Sequence, residues 1–140
     1  MQKSGLGRFL DAQDYTYDEA LREIKNGRKK SHWMWFVFPQ IKGLGTSGLS
    51  KLYAVKNLEE AAEYLSHGIL GPRLVEISSA LLSLGTSDAN AVFGSPDDMK
   101  LRSSMTMFAA VQGAPPVFEM VLQKFFNGAK DGRTLAILAG

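Results

Sequence analysis

Residues 28–50 read RKKSHWMWFVFPQIKGLGTSGLS and form the most unusual stretch of the chain. Its centre, HWMWFVFP at residues 32–39, holds two tryptophans and two phenylalanines, whereas aromatic residues make up 10% of the whole sequence. Propensity favours a strand here, because Trp, Phe and Val are enriched in strands. Helical neighbours favour a buried helix instead, and Pro39 argues against a central strand. The run is too short for its periodicity to decide between the two.

The sequence before and after this segment is typical of helices. A short helix is predicted at Leu6–Gln13. Thr16 and Glu19 have the spacing of a capping box at the start of the next helix, which Gly27 ends. Asn57 is expected to cap a helix over LEEAAEYL, residues 58–65.

The second half of the chain continues the helical pattern. Gly71–Pro72 opens a helix with proline at its first position, and Ser87 or Asp88 caps a short turn that ends at Gly94. The acidic residues of Ser95–Asp98 suit the positive end of a helix that runs to Gly113. The apolar positions of the first of these helices fall on one face: Leu74, Ile77, Leu81 and Leu82.

Two more helices are predicted near the C-terminal end. Pro115–Pro116 precedes a helix that Gly128 stops, and Asp131 caps a last short helix. One side of the former carries Val117, Met120, Val121 and Phe125. The prediction is therefore an all-α fold, a compact single-domain bundle of about six to eight helices, several of them short, over residues 1–140.

Composition limits the functional classes. A chain of 140 residues with 45% apolar and 21% charged residues is typical of one globular domain. The net charge of +2 is lower than a dedicated nucleic-acid binder usually shows. No apolar run is long enough for a membrane span, and the first residues lack the apolar core of a signal peptide. We therefore expect a cytoplasmic protein that does not act in membranes and for which nucleic acid is an unfavoured partner.

The absence of cysteine excludes disulfides, thiol nucleophiles and cysteine-based metal sites. His32 and His67 are the only histidines, so a metal site would have to rely on carboxylates. No zinc-protease, serine-hydrolase or P-loop motif is present. We expect neither a metal nor a cofactor.

The glycine-rich stretch GLGTSG at residues 43–48 matches the G-x-G-x-x-G pattern of dinucleotide-binding loops. The strand and helix alternation that this motif requires is missing, which favours a plain glycine-rich turn. Backbone amides in such a turn can still hold an anion. Gly43 and Gly45 are therefore candidate ligand-binding residues.

Three blocks of the sequence form a recognisable signature. They are KSHWMWFVFPQ at 30–40 with GLG at 43–45; AEYLSH at 62–67 with LGPRL at 70–74; and VFG at 92–94 with Asp98, Lys100–Leu101, SSMT at 103–106 and Phe108. Together they resemble the signature of the bacterial Domain of Unknown Function 1810 family, which implies a mainly helical fold and names no reaction. Some members carry the label calpastatin, the name of a long, disordered protease inhibitor, and nothing in this sequence supports inhibition.

A second, weaker resemblance rests on His67, Leu70–Gly71, Arg73–Leu74 and Phe93–Gly94 alone. These residues are similar to those of the YbiA-like, NADAR-type N-glycosidases, which act on ribosyl compounds. The resemblance implies a ribosyl-like ligand and assigns no catalytic residue.

We expect one cleft beside the aromatic segment, with His32 and Asp98 as candidate catalytic residues. The imidazole of His32 suits proton transfer near neutral pH, although packing on an indole would explain it equally. Asp98 also suits a plain helix start. Trp33 and Trp35 cannot share a helix face, so one belongs to the core and the other borders the cleft. The candidate ligand-binding residues are Lys30, Trp33, Gln40, Gly43, Gly45, Arg73, Lys100 and Ser104.

Two hypotheses for function follow. In the first, the protein binds or hydrolyses a small nucleotide- or ribosyl-like molecule in this cleft. In the second, it is a non-catalytic interaction module with an exposed apolar surface around its tryptophans. The oligomeric state is left open by the sequence.

Overall fold

The computed structural model describes residues 5–140, and within them it contains ten helices and no strand. The all-α prediction is confirmed, whereas the expected count of six to eight helices is too low. The difference arises from three helices of four or five residues, two of them capped by the side chains of Ser47 and Asp88. The helices are α1 Gly7–Gln13, α2 Tyr17–Lys25, α3 Met34–Val37, α4 Gly48–Leu52, α5 Leu58–Ser66, α6 Leu70–Leu82, α7 Ala89–Phe93, α8 Asp97–Ala109, α9 Val117–Phe126 and α10 Gly132–Ala139.

The aromatic segment forms neither a strand nor a long helix. Only four of its residues are helical, in α3, and the chain on both sides is irregular. Trp33 and Phe38 are fully buried, whereas Trp35 is half-buried. After the segment, Ile41 forms an isolated parallel bridge with Val55, which brings the two ends of the glycine loop and α4 together. The segment is thus a buried, irregular connection between helices.

One carboxylate holds the start of this segment against α2. Glu23 accepts hydrogen bonds from the backbone N–H groups of Lys30 and Ser31, at 2.7 and 3.0 Å. It also accepts from Ser31 Oγ at 2.6 Å and from the Trp33 indole at 2.9 Å. Burial opposes ionisation of Glu23, but these hydrogen bonds outweigh it and lower its pKa to about 2. The buried indole therefore has a charged partner.

One amide holds the end of the segment. Gln13 is buried on α1 and donates to the Phe36 carbonyl at 2.8 Å and to the Tyr64 hydroxyl at 2.9 Å. Its carbonyl oxygen accepts from Arg73 at 3.4 Å. Burial raises the pKa of Tyr64, which keeps its hydroxyl neutral. These contacts connect α1, α3, α5 and α6 through buried polar groups.

Most predicted helix boundaries are confirmed by their caps. Asn57, Asp88 and Asp131 each accept a hydrogen bond from the first turn of their helix. Gly27 and Gly128 follow their helices with φ of 81° and 80°, where glycine is favoured.

Four predictions about helix boundaries or the buried face of a helix were wrong. Thr16 stands at the N-cap of α2 as predicted, but the expected capping box does not form: Thr16 makes no side-chain capping hydrogen bond, and the Glu19 carboxylate accepts from Ser31. Pro72 is the third residue of α6, and α8 ends at Ala109 before Gly113. The Met120 side chain is 51% exposed because Phe118 and Leu122 complete the buried face of α9.

The core lies where α9 packs against both α6 and α8. α5 approaches α6 closely at Gly71, where a Cβ atom would lie 2.1 Å from the Leu65 carbonyl oxygen. α7, α10 and α5 also contact α8, so α8 is central to the fold. Within residues 5–140, no helix has the length and apolar character needed to cross a membrane.

Candidate functional site

A cleft of about 370 Å³ lies where the chain after α3 meets the first turns of α8 and α10. Three distant parts of the sequence therefore form it. Its walls combine apolar and polar side chains. They are Gln40, Leu44, Gly45, Ser50, Pro96, Met99, Lys100, Ser103, Asp131 and Arg133.

Helix α8 places a lysine in this cleft. The Lys100 ammonium lies 4.7 Å from the centre of the Trp35 ring and 3.4 Å from Asp97, one turn earlier on α8. Asp97 also pairs with Lys29 at 2.9 Å. This row of charges links the residues before the aromatic segment to α8. These ion pairs hold Lys100 in place. They do not neutralise its charge fully, because the Asp97 carboxylate is shared between the Lys29 and Lys100 ammonium groups.

Helix α10 places an arginine in the cleft, and Asp131 fixes the helix. Asp131 accepts from Ser103 at 3.0 Å and from both the hydroxyl and the backbone N–H of Thr134, at 2.5 and 3.2 Å. Its other oxygen lies 3.6 Å from Arg102. Burial opposes ionisation, but these donors and the Arg102 charge lower the pKa of Asp131. The carboxylate therefore ties the start of α10 to α8.

Two side chains of the cleft have no partner among the described residues. The Gln40 amide makes no hydrogen bond, and the Arg133 guanidinium has neither a hydrogen bond nor an ion pair. Leu44, Pro96 and Met99 supply an apolar wall beside them. Together, these groups can orient a polar molecule and attract an anion.

A second cavity of about 420 Å³ adjoins the cleft at the glycine loop. It is lined by Lys42, Gly43, Gly45, Ser50, Lys51 and Ala54. Gly45 and Ser50 line both spaces. A Cβ atom on Gly45 would lie 2.4 Å from that of Ser50, so the loop and α4 approach too closely for a side chain at Gly45.

The structure brings three of the ten predicted site residues into the cleft: Gln40, Gly45 and Lys100. Gly43 lines the adjoining cavity. Asp98 lines an open hollow next to the cleft, where its carboxylate accepts from Asn90 at 3.3 Å. The predicted convergence around the glycine loop and α8 is therefore partly present in the geometry.

The other five predicted residues lie elsewhere. Trp33 and Ser104 are fully buried, and the Ser104 hydroxyl has no hydrogen-bond partner among the described residues. His32 is exposed and does not line the cleft. Lys30 borders a hollow on α2, and Arg73 lies 3.6 Å from Asp14 and over the Tyr17 ring.

Sequence reasoning missed Ser103 and Arg133 of the cleft. It named Trp33 as the ligand-binding tryptophan, whereas Trp35 lies beside Lys100 and the buried Trp33 indole donates to Glu23. Ser103, and not Ser104, lines the cleft with Lys100, three residues away on the same helix face. Arg133 follows the correctly predicted cap Asp131, so the position of that cap was the available signal.

Metal-binding geometry is not evident in the described part of the chain. No group of three or more His, Asp or Glu residues that could hold a metal ion lies within residues 5–140.

The fold and the cleft define a small all-helical domain with an open, basic site built on α8 and α10. The chain belongs to the family described as "Protein of unknown function (DUF1810)", whose pattern it matches over residues 3–138. It is similar to the conserved hypothetical protein Rv1873 of Mycobacterium tuberculosis, whose crystal structure superposes with a TM-score of 0.94 at 46% sequence identity and 96% coverage of both chains. No curated protein matches the chain.

Proposed function

We propose that this protein binds a small phosphate-bearing molecule of the nucleotide or ribosyl class in the cleft between the glycine loop, α8 and α10. The observation that carries the proposal is the convergence of Lys100, Arg133 and Gln40 from three parts of the chain. Among the described residues, the side chains of Arg133 and Gln40 have no partner there. Side chains that meet in one concave space with free hydrogen-bonding groups are typical of a ligand site.

The chemistry of the cleft suits a phosphate joined to a less polar group. Arginine and lysine bind phosphate through charge-assisted hydrogen bonds. An amide such as that of Gln40 both donates and accepts, as a sugar hydroxyl or a base edge requires. The apolar wall of Leu44, Pro96 and Met99 suits a base or a sugar face, and about 370 Å³ is within the range of small-molecule sites.

The geometry favours binding over hydrolysis. Asp131 is the carboxylate that lines the cleft, and its oxygens are held by Ser103, Thr134 and Arg102. His32 and Asp98, the predicted catalytic residues, do not line it. A general acid or base must reach the reacting atoms, and no titratable side chain lining the cleft is free to do so as a base.

A thermal-shift screen tests the proposal first. AMP, ADP, ADP-ribose and ribose 5-phosphate are added at millimolar concentration, since a ligand at about 100 times its Kd adds about 2.7 kcal/mol to the free energy of unfolding. Titration calorimetry then compares wild type with Arg133→Ala. Loss of a charged hydrogen bond costs about 1.5–3 kcal/mol, so we expect affinity to fall roughly 10- to 150-fold.

Arg22→Ala is the matched control, because Arg22 is an exposed arginine of another hollow on α2. Its affinity should equal that of wild type. A flat screen on folded protein, or an equal loss in both variants, contradicts the proposal.

A specific observation supports an interaction module as the second function. Leu49 and Leu52 of α4 and Leu135 and Ile137 of α10 are 36–52% exposed. A Cβ atom on Gly43 would lie 3.4 Å from Ile137, so one of these side chains lies beside the glycine loop. If the ligand screen is flat, Leu49→Ser and Leu52→Ser become the variants with which to test protein binding.

A further inference from the structure

The cavity beside the cleft is cationic and has no acidic side chain in its lining. Lys42 and Lys51 are its charged residues, and both are exposed. Neither ammonium group has an ion-pair partner among the described residues. Two unpaired lysines in one concave space attract an anion, and no carboxylate competes for them in the lining.

The cleft and the adjoining cavity share part of their lining. The shared residues are Gly45, which has no side chain, and Ser50, which has a hydroxymethyl group. The Ser50 side chain lies against Gly45, because a Cβ atom there would lie 2.4 Å from the Ser50 Cβ and 2.5 Å from its Oγ. The two spaces therefore meet at these two small residues, where a ligand in the cleft can reach the adjoining cavity.

The two spaces together hold two pairs of cations. Lys100 and Arg133 line the cleft, and Lys42 and Lys51 line the adjoining cavity. Because the two spaces meet at Gly45 and Ser50, a ligand with two linked phosphates can place one phosphate in each space.

We propose that the ligand carries a diphosphate, as nucleoside diphosphates and their esters do, with one phosphate near Lys100 and Arg133 and the next over Gly45 toward Lys42 and Lys51. This inference rests on the proposed function and specifies its ligand class. The second pair of lysines then selects a diphosphate over a monophosphate.

Titration calorimetry with AMP and ADP tests the inference on the full chain. We expect wild type to bind ADP at least tenfold more tightly than AMP. The double variant Lys42→Met/Lys51→Met keeps the aliphatic stems and removes both charges. It should bind AMP as wild type does and lose the preference for ADP. Circular dichroism checks that the variant is folded.

Lys25→Met is the control, because Lys25 is an exposed lysine of α2 without an ion pair among the described residues. Equal affinity of wild type for AMP and ADP overturns the inference and leaves the proposed function standing. An equal loss for both nucleotides in the double variant also overturns it, since that result indicates a general charge effect. Failure of both nucleotides to bind wild type overturns the proposed function and the inference together.

Discussion

At the scale of single residues, Glu23 connects the buried tryptophan to the backbone that leads into the aromatic segment. Its carboxylate accepts from two N–H groups, one hydroxyl and one indole. A buried indole N–H without an acceptor costs free energy. Glu23 therefore explains why Trp33, and not Trp35, belongs to the core.

Glu23→Gln should reduce the free energy of unfolding by about 1–3 kcal/mol, because hydrogen bonds to a charged acceptor are stronger than those to a neutral one. Urea unfolding followed by circular dichroism measures the change. Glu63→Gln is the control, since Glu63 is exposed on α5, and it should stay within about 0.5 kcal/mol of wild type. Equal stability of the two variants would show that the Glu23 charge does not stabilise the fold.

The same carboxylate predicts a pH dependence of stability. Its pKa is about 2 in the folded protein against an ordinary value of 4.5. The lowered pKa means that ionised Glu23 stabilises the fold fully above pH 4.5 and that this stabilisation is lost as pH falls toward 2. Urea unfolding at pH 6, 4 and 3 measures this dependence. From pH 6 to pH 3, the free energy of unfolding should fall less in Glu23→Gln than in wild type. If the free energy of unfolding falls equally in both proteins as the pH is lowered, Glu23 is not the source of the pH dependence.

Residue types indicated part of the site and could not indicate the rest. Gln40 and Gly45 were predicted because they belong to the unusual segment, and Lys100 was predicted because its ammonium group can bind a phosphate or carboxylate. Arg133 was missed because an arginine in a short helix has the same local pattern whether it faces solvent or a cleft. The sequence did not show which of Trp33 and Trp35 is buried. Trp33 is the one that donates a hydrogen bond to Glu23, which lies ten residues away along the chain.

At the scale of helices, the contact of α5 with α6 depends on a glycine. Gly71 lies in the first turn of α6 and is buried against the end of α5. Since a Cβ atom there would meet a backbone carbonyl, no rotamer change can relieve the clash. The two helices have to move apart for any other residue to fit.

Gly71→Ala should therefore lower the free energy of unfolding by about 1–3 kcal/mol, the usual cost of overpacking a core. Gly68→Ala is the matched control in the same connection, because nothing lies within 4 Å of a Cβ atom there. That control should be neutral or stabilise by about 0.4–1 kcal/mol. Thermal unfolding compares the stability of both variants with that of wild type. If Gly71→Ala is as stable as wild type, the close approach of α5 to Gly71 is refuted.

Local sequence predicted several helix starts correctly because their signals are local. Asn57, Asp88 and Asp131 act as caps within their own first turns. The aromatic segment was ambiguous because its conformation depends on Gln13 and Glu23, which lie outside it. The carboxylate half of the Thr16–Glu19 pattern failed for a similar reason, since Glu19 accepts from Ser31, twelve residues further along the chain.

At the scale of the whole molecule, one apolar core extends from α1 to α9. Phe9 packs on Tyr64, Tyr64 on Phe108, and Phe108 on Phe118, with ring centres 5.2–5.8 Å apart. Residues from both halves of the chain therefore share the same interior. This continuity is the basis for expecting one domain.

We expect a single cooperative unfolding transition. Trp33 and Trp35 report on the N-terminal half by fluorescence, whereas far-ultraviolet circular dichroism reports on all helices. The urea midpoints from the two signals should coincide, as in a two-state unfolding. Separate midpoints would show that the two halves unfold independently and would contradict the single-domain prediction.

The cleft combines residues from position 40 to position 133, so its lining is completed late in synthesis. The ribosome delivers the glycine loop early, Lys100 later and Arg133 near the end, and folding of a domain begins on the N-terminal part. A nascent chain that ends before Arg133 already holds most of the core and lacks this guanidinium. Under the proposed function, such a chain would bind the ligand more weakly than the finished protein.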